Sequence, residues 1–224
     1  FIIVIIIFIF INNLLINLSR IGLSFDYSWL LKSAGFNLAE YSLNYSPSNS
    51  YAWAILIGWL NSLKVIFFSL ILATILGTVI AFARASKNIL IRNISSSYIT
   101  IIRQTPLLLQ LMFWYFVGFL GLKDNNLFTF QKLLTISNQG IKFTSFIISP
   151  EFAALLFGLG IFSSAFIAEV IRGGIFAVPK GQWEAFRSLG ITERKGLVKI
   201  IFPQALPAII PGLTSQYLNL AKNS

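Results

Sequence analysis

The chain has 224 residues, with 17 Lys and Arg against 7 Asp and Glu, a net charge of +10, and neither His nor Cys. Apolar residues make up 56% and charged ones 11%, against about 25% charged in a soluble domain, and the mean hydropathy is +0.80. These values exclude a water-soluble single core, disulfides, thiol or imidazole chemistry and zinc-finger-like sites, and they point to a multi-pass membrane protein.

Five apolar stretches are long enough to cross a bilayer, which takes about 20 residues. The first, Phe1 to about Leu18, is almost pure Ile and Phe before Asn12 and Asn13. It reads as an N-terminal transmembrane anchor; a signal peptide is the alternative, but no small-residue cleavage site follows. Residues 19–52 form a polar outer segment with a turn signal at Tyr45 to Ser50. The remaining spans run over about 53–83, 94–120, 152–171 and 205–220 of a transmembrane domain placed at 53–224. A second outer loop carries the turn signal Lys123-Asp124-Asn125-Asn126, followed by Phe128 and Phe130, which suit a membrane interface. The fold class is an all-α polytopic helix bundle. Phe1 is no translation start and the helical pattern continues to Ser224, so the chain reads as part of a longer one.

Orientation follows from the basic residues. Ten Lys and Arg lie in 84–103 and 172–199, against five over the longer stretches 19–52 and 121–151. The first set is therefore cytoplasmic, and these cations lie between apolar spans rather than in one patch, so nucleic acid does not account for the charge.

The cytoplasmic loop 173–204 carries the sharpest pattern. Gln182 to Leu189 predicts a short helix stopped by Gly190 in the left-handed conformation. Thr192 is placed to cap a second helix running to Pro203. Trp183, Ala185, Phe186 and Leu189 form an apolar knob on an otherwise charged element. On charge and periodicity alone, an amphipathic turn lying on the bilayer surface stands beside a docking knob.

The order of residues resembles the EAA motif of ABC importer permeases. Glu184-Ala185-Phe186, three residues, Gly190, nine residues and Ile200-Ile201-Phe202-Pro203 match Glu-Ala-Ala, x3, Gly, x9, Ile-x-Leu-Pro, with Phe186 for the second Ala and Phe202 for Leu. Arg103-Gln104-Thr105-Pro106-Leu107-Leu108-Leu109-Gln110, Ala168 to Ile175 and Pro203-Gln204-Ala205-Leu206 are similar to polar amino-acid permeases of the histidine and glutamine type. Thr214 to Leu220 is similar to the general L-amino-acid branch.

The resemblance implies a subunit without chemistry or cofactor of its own, in the bacterial inner membrane. It implies two permease chains, two cytoplasmic ATPase subunits and a periplasmic amino-acid-binding protein, with residues 19–52 periplasmic. It also implies an ATPase-coupling loop that includes Gly181, Glu184, Ala185, Phe186, Gly190 and Pro203, and a further helix after Ser224. The sequence holds no Gly-x4-Gly-Lys-Ser/Thr phosphate loop.

Polar groups within the spans mark a candidate path: Gln104, Thr105 and Glu169 above all. A carboxylate at membrane depth is costly unless paired or wet, so Glu169 is either a path residue or the partner of Arg172 three positions on. Pro106 predicts a break after Thr105, with Thr105 capping a new helix whose free N–H groups suit a carboxylate. A packing kink is the alternative. Pro203, Pro207 and Pro211 share one helix face, and Gly77, Gly158 and Gly160 allow close helix packing. A permease of the same architecture for another solute stays open, as does a non-transport integral membrane protein. An enzyme would need convergent acidic or nucleophilic groups in its spans, and Glu169 alone qualifies.

Overall fold

The computed structural model describes residues 2–22, 27–40, 43–122, 128–130, 134–143 and 146–224, and it divides into two compact units, Phe1–Gly58 and Trp59–Ser224. The first contains helix α1 (Ile2–Arg20), none of whose residues is buried, and the start of α2 (Tyr51–Arg84). Between them the backbone of the outer segment is closed on itself. Ala34 N–H donates to the Asn49 carbonyl at 2.8 Å, the Asn49 side chain accepts from Ser46 N–H at 2.7 Å, and the Trp53 indole donates to the Asn44 carbonyl at 3.2 Å. The turn expected at Tyr45 to Ser50 is thus present, with Asn49 holding it.

The second unit is built around α5 (Pro150–Ala177). Ser149 caps it by accepting from Phe152 N–H, Pro150 occupies the first turn, and Glu151 favours the positive helix end. Among the described residues four helices are long and apolar enough to cross a membrane, and of these α5 is the most enclosed. On its α2 side the residues facing inward are small and four apart: Val65, Ser69, Ala73 and Ala81 are buried, with Gly77 between them. A Cβ on Gly77 would lie 2.6 Å from Ile167 Cγ2 and 2.9 Å from the Ser164 carbonyl oxygen. Gly158 and Gly160 meet Leu111 and Leu72 in the same way. Lipid offers apolar side chains no reason to prefer one another, so helices in a bilayer are held by such close contact and by hydrogen bonds. Ser69 Oγ donates to the Leu156 carbonyl at 3.2 Å, and the Tyr98 hydroxyl shares a 2.7 Å bond with Ser164 Oγ.

The span expected over 94–120 is interrupted as Pro106 requires. Helix α3 (Ile89–Gln104), capped by Asn88, ends at Thr105 (φ −94°, ψ 125°). A six-residue α4 (Leu107–Met112) then continues as π-helix through Phe113–Leu120. The cap differs from expectation. Thr105 Oγ1 turns back to donate to the Ile101 carbonyl at 2.8 Å, and Pro106 itself occupies the cap position of α4 with no side-chain bond.

Two further corrections concern the rest of this unit. The outer loop is not all irregular: β1 (Phe128–Phe130), β2 (Leu134–Ser137), β3 (Gly140–Phe143) and β4 (Phe146–Ile148) form an antiparallel meander in that order. Ile136, Ile141 and Ile148 of this sheet pack on Phe119, Ala153 and Ala154. The turn signal at 123–126 lies outside the described residues. The helix after Thr192 also does not stop at Pro203. Helix α7 (Glu193–Gly196), a π-helical stretch (Leu197–Ile201) and α8 (Phe202–Lys222) run on as one 30-residue helix. Pro203 has no N–H to give the Lys199 carbonyl, and the register has already slipped, with Phe202 N–H bonding the Leu197 carbonyl.

The packing predicts a contrast between two glycines. Gly77→Val should destabilise the detergent-solubilised protein by about 1–3 kcal/mol, because its new carbons meet Ile167 and backbone. Gly173→Ala, with nothing within 4 Å of its Cβ, should leave the melting temperature unchanged or slightly raised. Equal melting temperatures for the two variants would refute the close-packing role of Gly77.

Candidate functional site: the loop around Gly190

After α5 the chain forms α6 (Lys180–Ser188) and reverses at Gly190. Gly190 has φ +69°, its N–H bonds the Arg187 carbonyl at 2.9 Å, and Ile191 N–H bonds the Phe186 carbonyl at 3.1 Å. That pair of bonds is the Schellman closure, which needs a left-handed residue at this position. Nothing lies within 4 Å of a Cβ on Gly190, so conformation and not space demands glycine here. Thr192 stands at the cap of α7 through its backbone alone and makes no side-chain cap bond.

The apolar knob divides into two faces. Phe186 is 1% exposed, and its ring lies over Gly196, where a Cβ would collide with it. Trp183 is half-buried beside it, with ring centroids 5.9 Å apart. These two residues therefore anchor α6 instead of projecting from it. The outward face consists of Gly181, Glu184, Ala185 and Ser188, at helical spacing, with Leu189 at 77% exposed beside them. Pro203 and Gln204 are also exposed, and Gln204 donates to the Gln182 side chain at 3.2 Å.

Arg187 holds the anchor together. Its guanidinium sits 5.7 Å from the Trp183 ring centre and 5.6 Å from that of Phe186, and Nε donates to Glu193 at 2.9 Å. Lys87, from the turn after α2, reaches the same carboxylate at 3.2 Å. The Arg187 hydrogen bond, seconded by Lys87, holds the Glu193 carboxyl below the usual carboxylate value. The charged link is thus complete at neutral pH and is lost only as pH falls through that lowered value.

The candidate path residues are not gathered at one point. Gln104 is exposed and Thr105 half-buried at the interruption of the span. There the Gln110 amide donates to the Ile102 and Thr105 carbonyls at 2.9 and 3.1 Å, filling acceptors that the break leaves open. Glu169 accepts from Arg172 Nε and Nη2 at 3.0 and 2.8 Å and also pairs with Arg84. Among the described residues no hydrogen bond or ion pair joins Glu169 to Gln104 or Thr105. Sequence reasoning overlooked Arg84, Lys87, Glu193 and Gly196 as partners. The first two entered only as topology charges, and nothing in their spacing tells which carboxylate each one meets.

Residues 73–224 match the family described as the binding-protein-dependent transport system inner membrane component. The chain belongs to this family. Among its relatives, the putative amino-acid ABC transporter permease YhdX of Escherichia coli (strain K12) is 31% identical, the alignment covering 95% of this chain and 75% of that protein. The general L-amino acid transport system permease protein AapQ of Rhizobium johnstonii is 29% identical over 95% of this chain and 73% of its own length. The putative glutamine transport system permease protein GlnP of Rickettsia bellii is 36% identical, with coverage of 83% and 73%. Among solved structures, an amino acid ABC transporter crystallised with histidines superposes with a TM-score of 0.59 at 34% identity, covering 77% of this chain and 70% of that one. An inward-facing methionine ABC transporter, MetNI, shares the fold at a TM-score of 0.54 and 20% identity, with coverage of 76% and 71%. The chain is therefore an ABC-importer-type permease of the inner membrane, and the EAA loop is the family's motif in it.

Two outcomes follow for this loop. The native chain has no Cys. A cysteine placed at exposed Ser188 should react with a membrane-impermeant thiol reagent only in opened cells, whereas one at exposed Ser48 should react in intact cells. The reverse pattern would overturn the assigned sidedness. Gly190→Val should strain the reversal by about 1–3 kcal/mol and lower co-purification of the ATPase subunit, as should Glu184→Lys on the outward face. Undiminished co-purification in both would detach the loop from that role.

Proposed function

We propose that the chain is the pathway-forming permease subunit of an ATP-binding-cassette importer that moves amino acids from periplasm to cytoplasm. The observation that carries this reading is α6: a short helix fixed from beneath by Phe186, Trp183 and Arg187, closed by Gly190, and presenting Glu184, Ala185 and Leu189 outward. A helix so held moves as a rigid knob. In this reading it seats in a groove of a separate cytoplasmic ATPase, which hydrolyses ATP. A second permease chain, identical or homologous, completes the pathway, and a periplasmic binding protein delivers the substrate.

The solute class is supported by the names of YhdX, AapQ and GlnP and by the polar-amino-acid-permease likeness around Gln104 and Thr105. On this chain the path candidates are Gln104 and Thr105 at the interrupted span, with the exposed polar groups Ser215 and Asn219 along α8. Pro207 and Pro211, inside that helix, have no N–H to give the Pro203 and Pro207 carbonyls, and all three prolines lie on one exposed face. Such a face suits a wet cavity or a neighbouring protein rather than lipid. Glu169 serves by clamping Arg84 to Arg172, which ties the end of α2 to α5.

The deciding experiment reconstitutes the full importer with its ATPase and binding protein and measures ATP-dependent uptake across a panel of labelled amino acids and other small solutes. Uptake of amino acids in preference to sugars and inorganic ions is expected, and the opposite preference would refute the solute class. In the same assay Thr105→Val should lower uptake about tenfold with the complex intact. Glu169→Gln should lower uptake and melting temperature together, because it leaves two guanidinium groups facing each other. An unchanged melting temperature in Glu169→Gln would remove the clamp.

A further inference from the structure

At the basic end of the second unit a cavity of about 760 Å³ lies between two walls. One wall is the end of α2 and the turn after it, from Phe82 to Lys87; the other is Trp183 of α6 and the stretch from Glu193 to Val198. Beside this gap the two elements meet through the Phe82 and Phe202 rings, 5.3 Å apart. Among the described residues the polar contact that crosses it runs from Lys87 Nζ to Glu193 Oε1 at 3.2 Å. The same Glu193 oxygen accepts from Arg187 Nε at 2.9 Å. One carboxylate thus joins the α2–α3 turn to the underside of α6.

The two halves of this link differ in strength. Arg187 is fixed against the Trp183 and Phe186 rings as well as by its ion pair. Lys87 has a side chain 79% exposed, and exposed ion pairs are screened by salt and contribute little to stability. The Lys87 half can therefore break and re-form without unfolding anything, while the Arg187 half stays made. Three residues before Lys87, Arg84 is paired to Glu169 of α5, so a pull on the turn reaches the central helix.

We propose that Glu193 is the positioning residue of a breakable strut, Lys87–Glu193–Arg187, that carries displacement of the coupling helix to the α2–α3 turn. This deepens the coupling role proposed above and rests on it. Glu193 lies outside the quoted EAA pattern, between its Gly190 and its Ile200.

The test uses the full importer in liposomes and reads the ratio of ATP hydrolysed to amino acid taken up. Lys87→Gln removes the exposed end of the strut and leaves Arg187–Glu193 in place. It should raise the ratio at least about threefold, with assembly and melting temperature unchanged, while Lys87→Arg keeps the ratio of the unaltered protein. A second reading does not depend on the solute. Spin labels on cysteines at Ser86 and Val198, on opposite walls, should show a broader distance distribution in Lys87→Gln and not in Lys87→Arg. The strut is overturned if Lys87→Gln matches the unaltered protein in either measurement, or if Lys87→Arg is as impaired as Lys87→Gln. Failure of the unaltered importer to take up any amino acid counts against the proposed function instead, and the label distances then decide the strut alone.

Discussion

The structure depends on how closely other helices can approach α5. In water, burial of Leu and Ile would hold a bundle together; in lipid those side chains are equally well solvated outside it, and only dense contact and hydrogen bonding favour assembly. That is why the residues deciding the fold are the small ones. Gly77 admits Ile167, Gly160 admits Leu72, Gly158 admits Leu111, and Gly212 admits Val170. The large apolar residues of α2, such as Phe67, Ile75 and Val79, face outward, as a lipid-facing surface requires. Hydrogen bonds then fix the register of the close contacts. Ser69 to Leu156, Tyr98 to Ser164 and Thr74 to Tyr217 each tie two helices far apart in sequence.

The same medium requires a departure from regular helix either to be repaired or to face water or protein. At Thr105 the backbone turns extended, and the carbonyls of Ile102 and Thr105 would be left in an apolar setting. The Gln110 amide serves both, and Thr105 Oγ1 adds a second bond to the Ile101 carbonyl, which the Thr105 N–H already reaches. Near Pro203 the repair is a change of register, with one π-helical stretch carrying the chain past a residue that cannot donate. Both irregular places lie in segments that the sequence likens to permease motifs, where strict helix would be the less costly choice. Irregular backbone retained at membrane depth is a mark of use.

How much of this was legible in the sequence follows from the range of each force. Apolar spans, the break after Thr105 and the reversal at Gly190 are local, since apolar length, the pre-proline restriction and a left-handed glycine are all read from neighbouring residues. The packing glycines Gly77, Gly158 and Gly160 could be named, but their partners could not. The division of α6 into an anchoring and an outward face was read wrongly in part. Trp183 and Phe186, three apart, and Ala185 and Leu189, four apart, both fit one face of a helix, and Gly196, ten residues after Phe186 and small enough to accept its ring, decides which pair turns inward. The sheet from β1 to β4 escaped notice because its strands are three or four residues long and lie in a turn-rich stretch.

The two carboxylates of the basic end show how a strongly cationic surface is kept from flying apart and yet stays mobile. Between 84 and 199 the chain places ten basic residues on one side, and Glu169, Glu184 and Glu193 are the acids of that range other than Asp124 and Glu151, which lie before α5 and at its start. Glu184 is left exposed on the outward face of α6, while the other two each take a pair of cations. Glu169 is mostly enclosed, so its pairs with Arg84 and Arg172 act in a medium of low screening, where losing one partner is expensive. Glu193 is open to solvent, where the same arrangement is cheap to undo. One acid therefore fixes α2 to α5, and the other joins the turn after α2 to α6 through an exposed and weaker contact. A carboxylate between two cations thus gives a firm clamp where it is enclosed and a weaker tie where one cation is an exposed Lys.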